Sequence, residues 1–151
     1  MHKELKQRAC AAIDAARPEI CVWGERIASK PELGFKEHET SKLVRGVFDS
    51  LGIAYECPLA LTGVKGKLSG QPGPLNVCPI GEMDAIPCVG HPSMDSATGA
   101  AHACGHNAQI AALLGAALGL AKSRVMEQLY GNAVFFAVPP SSILTWSTAA
   151  I

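Results

Sequence analysis

The sequence has no excess of charge of either sign. Its 151 residues contain 13 Lys and Arg and 13 Asp and Glu, which gives a formal net charge of +0 at pH 7. A chain without net charge has no long-range field that would attract nucleic acid or an anionic membrane, and no basic stripe interrupts this balance. We therefore expect neither nucleic acid nor a membrane among its partners.

Segments that direct a chain to a membrane are lacking as well. The first eight residues are mostly charged or polar, and no apolar block follows them as it would in a secretory signal. The longest nearly apolar run, residues 108–121, is too short to cross a bilayer. We therefore predict a cytoplasmic protein. Its six cysteines are then expected to be mostly reduced core residues rather than disulfide partners.

Apolar spacing predicts three helices in a single domain. Hydrophobic residues make up 48% of the chain and charged residues 17%, which indicates a large interior. The helices are predicted over residues 3–29, over the segment that Gly52 ends, and over residues 107–122. Pro18 has no amide hydrogen, so the first helix should kink or restart there. Two glycines of the third helix would let a sheet pack closely against it, namely Gly115 and Gly119.

Four strands are predicted between and after these helices, at residues 53–57, 64–69, 75–80 and 133–138. The third strand is apolar enough to lie at the centre of a sheet, and a tight connection at residues 71–74 precedes it. This order of elements is typical of an α/β domain, a layered sheet with flanking helices. The long irregular stretch over residues 81–107 is rich in Gly, Pro, Asp and His and is more typical of a site than of a linker.

Cys104 and His106 are the first candidates for a site. A thiolate and an imidazole two residues apart can both reach one metal ion if the backbone turns sharply between them, and Gly105 permits such a turn. The start of the following helix would help to hold Cys104 as the thiolate. The alternative is a buried thiol beside a histidine that bonds to the backbone.

Asp84 is the second candidate, because it follows the third predicted strand. Sites in open α/β sheets gather beyond the carboxyl ends of strands, and an Asp there can orient a ligand histidine. The alternative is an exposed carboxylate in a turn. Further along, His91 and Asp95 could face a substrate or a metal, or could be loop residues that the backbone satisfies.

Three motifs follow one another along the chain: Pro-Glu-Leu-Gly-Phe-Lys-Glu at residues 31–37, Glu-Met-Asp-Ala-Ile-Pro at residues 82–87 and His-Ala-Cys-Gly-His-Asn at residues 102–107. In this order they resemble the opening motif, the Asp/Glu-x-Asp-Ala-Leu-Pro segment and the His-Ala-Cys-Gly-His-Asp/Asn motif of amidohydrolases of the M20 peptidase superfamily. That family includes the aminobenzoyl-glutamate, hippurate and auxin-conjugate hydrolases. The resemblance runs from about residue 20 to Pro139.

The resemblance implies a metal-dependent enzyme that hydrolyses amide bonds in small N-acyl amino acids or related conjugates. Matching positions make Cys104 and His106 metal ligands and Asp84 a supporting active-site residue. The family's centre holds two divalent ions, Zn or Mn, which acidify a water molecule and polarise the scissile carbonyl. Other residues expected to line the site or contact the substrate are Glu82, His91, His102 and Asn107.

The chain departs from the family pattern after its last predicted strand. The family continues Pro-Ala-Glu-Glu, with a general-base Glu and a ligand Glu, whereas residues 138–142 read Val-Pro-Pro-Ser-Ser. We therefore predict that residues 1–139 form the N-terminal part of the catalytic domain, that residues 140–151 are a non-family tail, and that the dimerisation domain is absent. A shift of reading frame near Pro139 would explain such a tail.

Three functions stay open at this point. The chain is a hydrolase by descent that hydrolyses nothing as a 151-residue polypeptide, or it is a truncated, non-catalytic module whose uncovered apolar surface favours association, including homo-oligomers. The third reading is a thiol hydrolase that uses Cys104 with a nearby histidine. A chelator separates the last reading from the first, because only metal-dependent hydrolysis is sensitive to it.

Overall fold

The structure, a computed structural model, describes residues 2–140. It has the predicted α/β class, a sheet with flanking helices. In chain order the elements are α1 (His2–Ala15), α2 (Arg17–Ala28), α3 (His38–Leu51), β1 (Ala54–Leu59), β2 (Gly63–Ser69), β3 (Gln71–Val77), β4 (Ile80–Glu82), β5 (Ile86–Pro87), β6 (Ala100–Ala101), α4 (His106–Ser123), a short 3-10 helix (Val125–Gln128) and β7 (Tyr130–Val138).

Local chemistry sets the helix ends where the sequence predicted them. The first helical segment restarts, because Pro18 lies in the first turn of α2, where its missing amide hydrogen is not needed. Gly52 ends α3 in the left-handed conformation, with a φ of 67°. Its amide donates to the carbonyl of Asp49 at 3.1 Å. Both predictions are confirmed.

β7 is the strand on which the larger sheet is built. The strand order is β1-β2-β7-β3, and β4 also pairs with β7. β2 runs antiparallel to β7, from Val64 opposite Ala137 to Ser69 opposite Asn132. Both β3 and β4 run parallel to β7, which brings the end of β4 beside Val138. The loop that follows Glu82 therefore starts at a carboxyl end of the parallel strands.

The prediction of a central strand over residues 75–80 is wrong. The pairing begins already at Gln71, where a tight connection was expected, and it is interrupted between β3 and β4. Both strands lie at the edge of the described sheet, where Leu75, Val77 and Ile80 are 66%, 67% and 62% exposed. Proline has no amide hydrogen to give to a ladder, so a stretch that contains three of them suits an edge: Pro72, Pro74 and Pro79.

The two glycines of α4 accommodate helices rather than the predicted sheet. A Cβ atom at Gly119 would lie 2.6 Å from Cγ1 of Ile13 in α1. A Cβ atom at Gly115 would lie 3.2 Å from Cδ1 of Ile20 in α2. Close approach of α1 and α2 thus fixes α4, whose first residue is His106. No helix within residues 2–140 is long and apolar enough to span a bilayer.

The cysteines are free, as expected, but they are not core residues. Only Cys88 is half-buried, and the others are exposed: Cys10, Cys21, Cys57, Cys78 and Cys104. The core between the helices and the sheet is filled instead by aliphatic and aromatic side chains, among them Phe48, Leu114 and Phe135, which are 0% exposed. A thiol scattered singly on a surface carries little apolar area, so its exposure costs the fold little.

Gly66 of β2 leaves room for the ring of Phe48. A Cβ atom there would lie 2.6 Å from Cε2 of that fully buried ring. We expect Gly66→Ala to lower the free energy of unfolding by about 1–3 kcal/mol, because the ring has no space to retreat. Urea unfolding of the two chains measures this difference.

Gly46→Ala is the matched control. Gly46 lies in α3 with nothing within 4 Å of a Cβ atom. Alanine there should raise the free energy of unfolding by up to about 1 kcal/mol, since it removes backbone entropy from the unfolded chain. Equal effects of the two substitutions would show that the Phe48 contact is not what requires Gly66.

Candidate active site

The peptide group between Asp84 and Ala85 is the anchor of the candidate site. It follows β4, and Met83, Asp84 and Ala85 are all buried there. The amide of Ala85 donates to the carbonyl of Glu32 at 2.7 Å. The carbonyl oxygen of Asp84 lies 2.9 Å from Nδ1 of His106. Both polar atoms of this one peptide group are thus bonded to other segments of the chain.

His106 brings α4 to this peptide. Its Nδ1 also lies 2.9 Å from Oδ1 of Asp84, and its Nε2 lies 3.1 Å from Oε2 of Glu82. A backbone carbonyl can only accept a hydrogen bond, so Nδ1 carries the hydrogen. A carboxylate and a carbonyl that hold one ring nitrogen are the arrangement that orients a metal-ligating histidine in proteins.

Burial governs the charge of Asp84, whose side chain is 1% exposed. Loss of water raises the pKa of Asp84, the imidazole of His106 opposes that shift, and the nearby carboxylate of Glu82 adds to it. The site therefore gathers two acidic groups around one imidazole.

His102 lies near this group and has no hydrogen-bond partner among the described residues, although both of its ring nitrogens are buried. Burial first and His106 second lower the pKa of His102 to about 4, against an opposing effect of Glu32. The ring is therefore neutral at physiological pH and retains a nitrogen lone pair. A buried polar atom without a partner is one that a bound ligand could satisfy.

Two further predicted site residues, Cys104 and Asn107, flank His106 in the chain at the start of α4. Gly105 makes the expected sharp turn, with a φ of 88°, and leaves Cys104 exposed just before α4. The Nδ2 atom of Asn107 donates to the carbonyl of Gly24 at 3.3 Å, which ties α4 to α2.

His91 and Asp95 have local backbone partners. Nδ1 of His91 accepts the amide of Ser93 at 3.1 Å. Oδ1 of Asp95 accepts the amide and the hydroxyl of Thr98, each at 2.8 Å, and these bonds lower the pKa of Asp95. Both arrangements are those of loop residues that the backbone satisfies, the alternative left open by the sequence.

Two carboxylates to which the sequence assigned no role, Glu37 and Glu32, lie in the segment that contacts Ala85 of the site. Glu37 is fully buried, and its Oε1 accepts the amide of Phe35 at 2.8 Å while its Oε2 accepts the hydroxyl of Thr62 at 2.6 Å. Glu32 accepts the amides of Glu39 and Thr40 at 2.9 and 2.8 Å and thereby caps α3. The signal that would have found them is a pair of acidic residues inside the apolar motif at residues 31–37.

The donor types fit a divalent ion, but their number does not. Within residues 2–140, no three His, Cys, Asp or Glu side chains converge on a point that could hold a metal ion. The imidazoles and the thiol are donors that Zn or Mn accepts, and a protein site needs at least three of them. These residues alone therefore do not complete a metal centre.

Known proteins with similar sequences are named as hydrolases. The chain is 40% identical to IAA-amino acid hydrolase ILR1-like 6 of Arabidopsis thaliana over 108 residues, which are 67% of this chain and 23% of that protein. It is 39% identical to ILR1-like 2 of the same plant over 132 residues, 83% of this chain and 29% of that protein. No family model matches the chain.

A solved structure points the same way. The YXEP protein of Bacillus subtilis, described as a dinuclear metal-binding peptidase of the M20 family, matches with a TM-score of 0.72 and 26% identity, over 83% of this chain and 36% of that one. Over part of their length, the chain therefore resembles proteins named as hydrolases and a peptidase of the M20 family. It spans about a quarter to a third of the length of these matched proteins.

Replacement of Glu37 by an uncharged residue of the same shape tests the cost of its burial. Burial raises the pKa of Glu37 above its ordinary value of 4.5, because the ionised form is disfavoured in the folded state. We expect Glu37→Gln to raise the free energy of unfolding at neutral pH. The gain should shrink as the pH falls below 4.5, where the wild-type carboxyl is protonated in both states.

Urea unfolding at a series of pH values measures this gain. Glu39→Gln is the control, because Glu39 is exposed and its neutralisation relieves no burial. A loss of stability in Glu37→Gln that stays constant from neutral pH to below 4.5 would contradict the expectation.

Proposed function

We propose that this chain forms the N-terminal part of the catalytic domain of a metal-dependent hydrolase, which cleaves amide bonds in small N-acyl amino acids or related conjugates. The observation that carries the proposal is the hold of Asp84 on Nδ1 of His106, which directs Nε2 of the ring toward the carboxylate of Glu82 at 3.1 Å. The similarity to M20 hydrolases supplies the reaction class. Two divalent ions, Zn or Mn, and a cytoplasmic location are parts of the same proposal.

Each residue has a distinct part in this proposal. His106 and Cys104 are the side chains that would hold a metal ion, and a metal bound in a completed centre supplies a Lewis acid for the scissile carbonyl. Asp84 keeps the imidazole of His106 in one tautomer and one orientation. His102 offers a neutral, unpartnered ring nitrogen to the ligand.

A second candidate function is association without catalysis. The edge formed by β3 and β4 exposes three large aliphatic side chains, and Tyr130 of β7 is 74% exposed. Exposed apolar side chains along a strand edge favour contact with another polypeptide, a further copy of the chain included. The mass of the purified chain in solution, measured over a range of concentrations, distinguishes a monomer from an associating module.

We expect the purified 151-residue chain to retain less than one tightly bound metal ion and to show no chelator-sensitive hydrolysis of N-acyl amino acids. The reason is that its described residues bring together too few ligands. Elemental analysis and an amidase assay measure the two quantities. A stoichiometric metal that is lost in the Cys104→Ala/His106→Ala variant would instead show a complete site. Hydrolysis that survives a chelator and is abolished by alkylation would favour the thiol mechanism.

The reaction class is tested in a chimera. Residues 20–138 of this chain would replace the equivalent segment of an active IAA-amino acid hydrolase of the M20 type. We expect hydrolysis that falls at least about 100-fold when Cys104→Ala and His106→Ala are introduced, because both ligands act on the reacting centre. Cys21→Ala, which removes an exposed thiol elsewhere, is the control. A folded chimera without activity would sink the proposal.

A further inference from the structure

We propose that Glu37 and Thr62 are positioning residues for His106, which they hold through the turn at residues 32–37 and the peptide group between Asp84 and Ala85. We call residues 32–37 together with Thr62 the brace. The inference rests on the proposed function only in that His106 is taken as a residue of the active site.

The brace begins at a buried hydrogen bond. The hydroxyl of Thr62, which is 2% exposed, donates to Oε2 of Glu37 at 2.6 Å, and Glu37 is 0% exposed. The two residues are 25 positions apart in the chain. A charge-assisted hydrogen bond of this length, shielded from water, fixes the carboxyl group of Glu37 in one orientation.

The other oxygen of Glu37 holds an unusual turn. Oε1 accepts the amide of Phe35 at 2.8 Å, and Phe35 has a φ of 62°, a left-handed conformation that a bulky residue rarely adopts. Such a conformation persists only where the surroundings enforce it. The carboxyl group of Glu37 closes this turn together with the backbone bond from the amide of Lys36 to the carbonyl of Leu33 at 3.0 Å, so its loss should loosen the turn.

The turn meets the site through the backbone of Glu32 and Leu33. The carbonyl of Glu32 accepts the amide of Ala85 at 2.7 Å, and Leu33 forms an isolated parallel bridge with Ala85. The side chain of Glu32 is anchored at the first turn of α3. The turn at residues 32–37 is therefore fixed at both ends, by α3 through Glu32 and by Thr62 through Glu37.

The last step passes through a single planar group. The amide of Ala85 and the carbonyl of Asp84 belong to the same peptide unit, and in a trans peptide they point in opposite directions. The brace holds the amide, and His106 donates to the carbonyl at 2.9 Å. A displacement of the brace therefore turns the carbonyl away from Nδ1 and loosens the ring.

The burial of an acidic group in the brace argues for positioning over stability alone. Desolvation is the largest cause of the raised pKa of Glu37, and the charge of Asp84 raises this pKa further. An apolar residue would fill the same space without this cost, but it would accept neither the amide of Phe35 nor the hydroxyl of Thr62.

The test compares Thr62→Val, which keeps the bulk and removes the hydroxyl, with Thr62→Ser, which keeps the hydroxyl and removes a methyl group. NMR spectroscopy of the 151-residue chain labelled with 15N-histidine reports the tautomer of His106, with His106→Gln for assignment. Amide hydrogen exchange reports the bond of Ala85. We expect Thr62→Val to accelerate exchange at Ala85 about tenfold and to weaken the Nδ1–H signal of His106. Thr62→Ser should restore both.

Thr98→Val is the matched control, because it removes a hydroxyl that bonds to Asp95 and Ala100 and makes no hydrogen bond to Ala85. It should change neither signal. A folded Thr62→Val chain with wild-type exchange at Ala85 and an unchanged His106 spectrum would overturn the proposal, as would a Thr62→Ser chain that behaves like Thr62→Val.

If Thr62→Val does not fold, amide hydrogen exchange measured on the wild-type chain still tests the proposal. The amides of Phe35 and Ala85 should then open together, with one dependence on denaturant, because one brace protects both. Separate openings would overturn the proposal. None of these measurements uses hydrolysis, so a chimera without activity and a brace that does not act on His106 are distinguishable results.

Discussion

The peptide group between Asp84 and Ala85 is the constraint on which the arrangement of the site depends. Three segments distant in sequence meet at this one planar unit: the turn before α3, the end of β4 and the first residue of α4. A peptide group cannot satisfy buried polar atoms by bending, so its partners must come to it. The sheet and the helices serve, in this respect, to deliver Glu32 and His106 to their places.

The packing of α4 explains how that delivery is achieved. Glycines at two positions allow the helices α1 and α2 to lie close against it, so its axis is set by contact with side chains rather than by its own sequence alone. Asn107 adds a hydrogen bond to the backbone of α2 at the same end. The backbone of His106 is consequently fixed by the end of the helix, and Asp84 determines only the rotation of the ring.

Local chemistry was sufficient to predict the helix boundaries at Pro18 and Gly52 and the turn at Gly105, because each depends on the residue itself. The position of residues 75–80 was not predictable in this way. Whether a strand is central depends on which strand pairs with it, and that partner, β7, lies more than 50 residues later. Asp84 and His106 were expected in one site only because of the motifs in which they lie. The bond between Glu37 and Thr62 joins residues 25 positions apart, and no periodic pattern in the sequence indicates it.

The place of β7 in the sheet has a consequence for the order of folding. β3 and β4 pair only with β7 in the described sheet, and β2 has β7 on one of its sides. During synthesis these strands therefore emerge before the partner that completes their ladders. Until residues 130–138 leave the ribosome, the edges of β2, β3 and β4 that pair with β7 stay unpaired. This lasts for the time needed to add about 50 residues, several seconds at common rates of translation. Unpaired strand edges favour aggregation during this interval, and the arrival of β7 ends it.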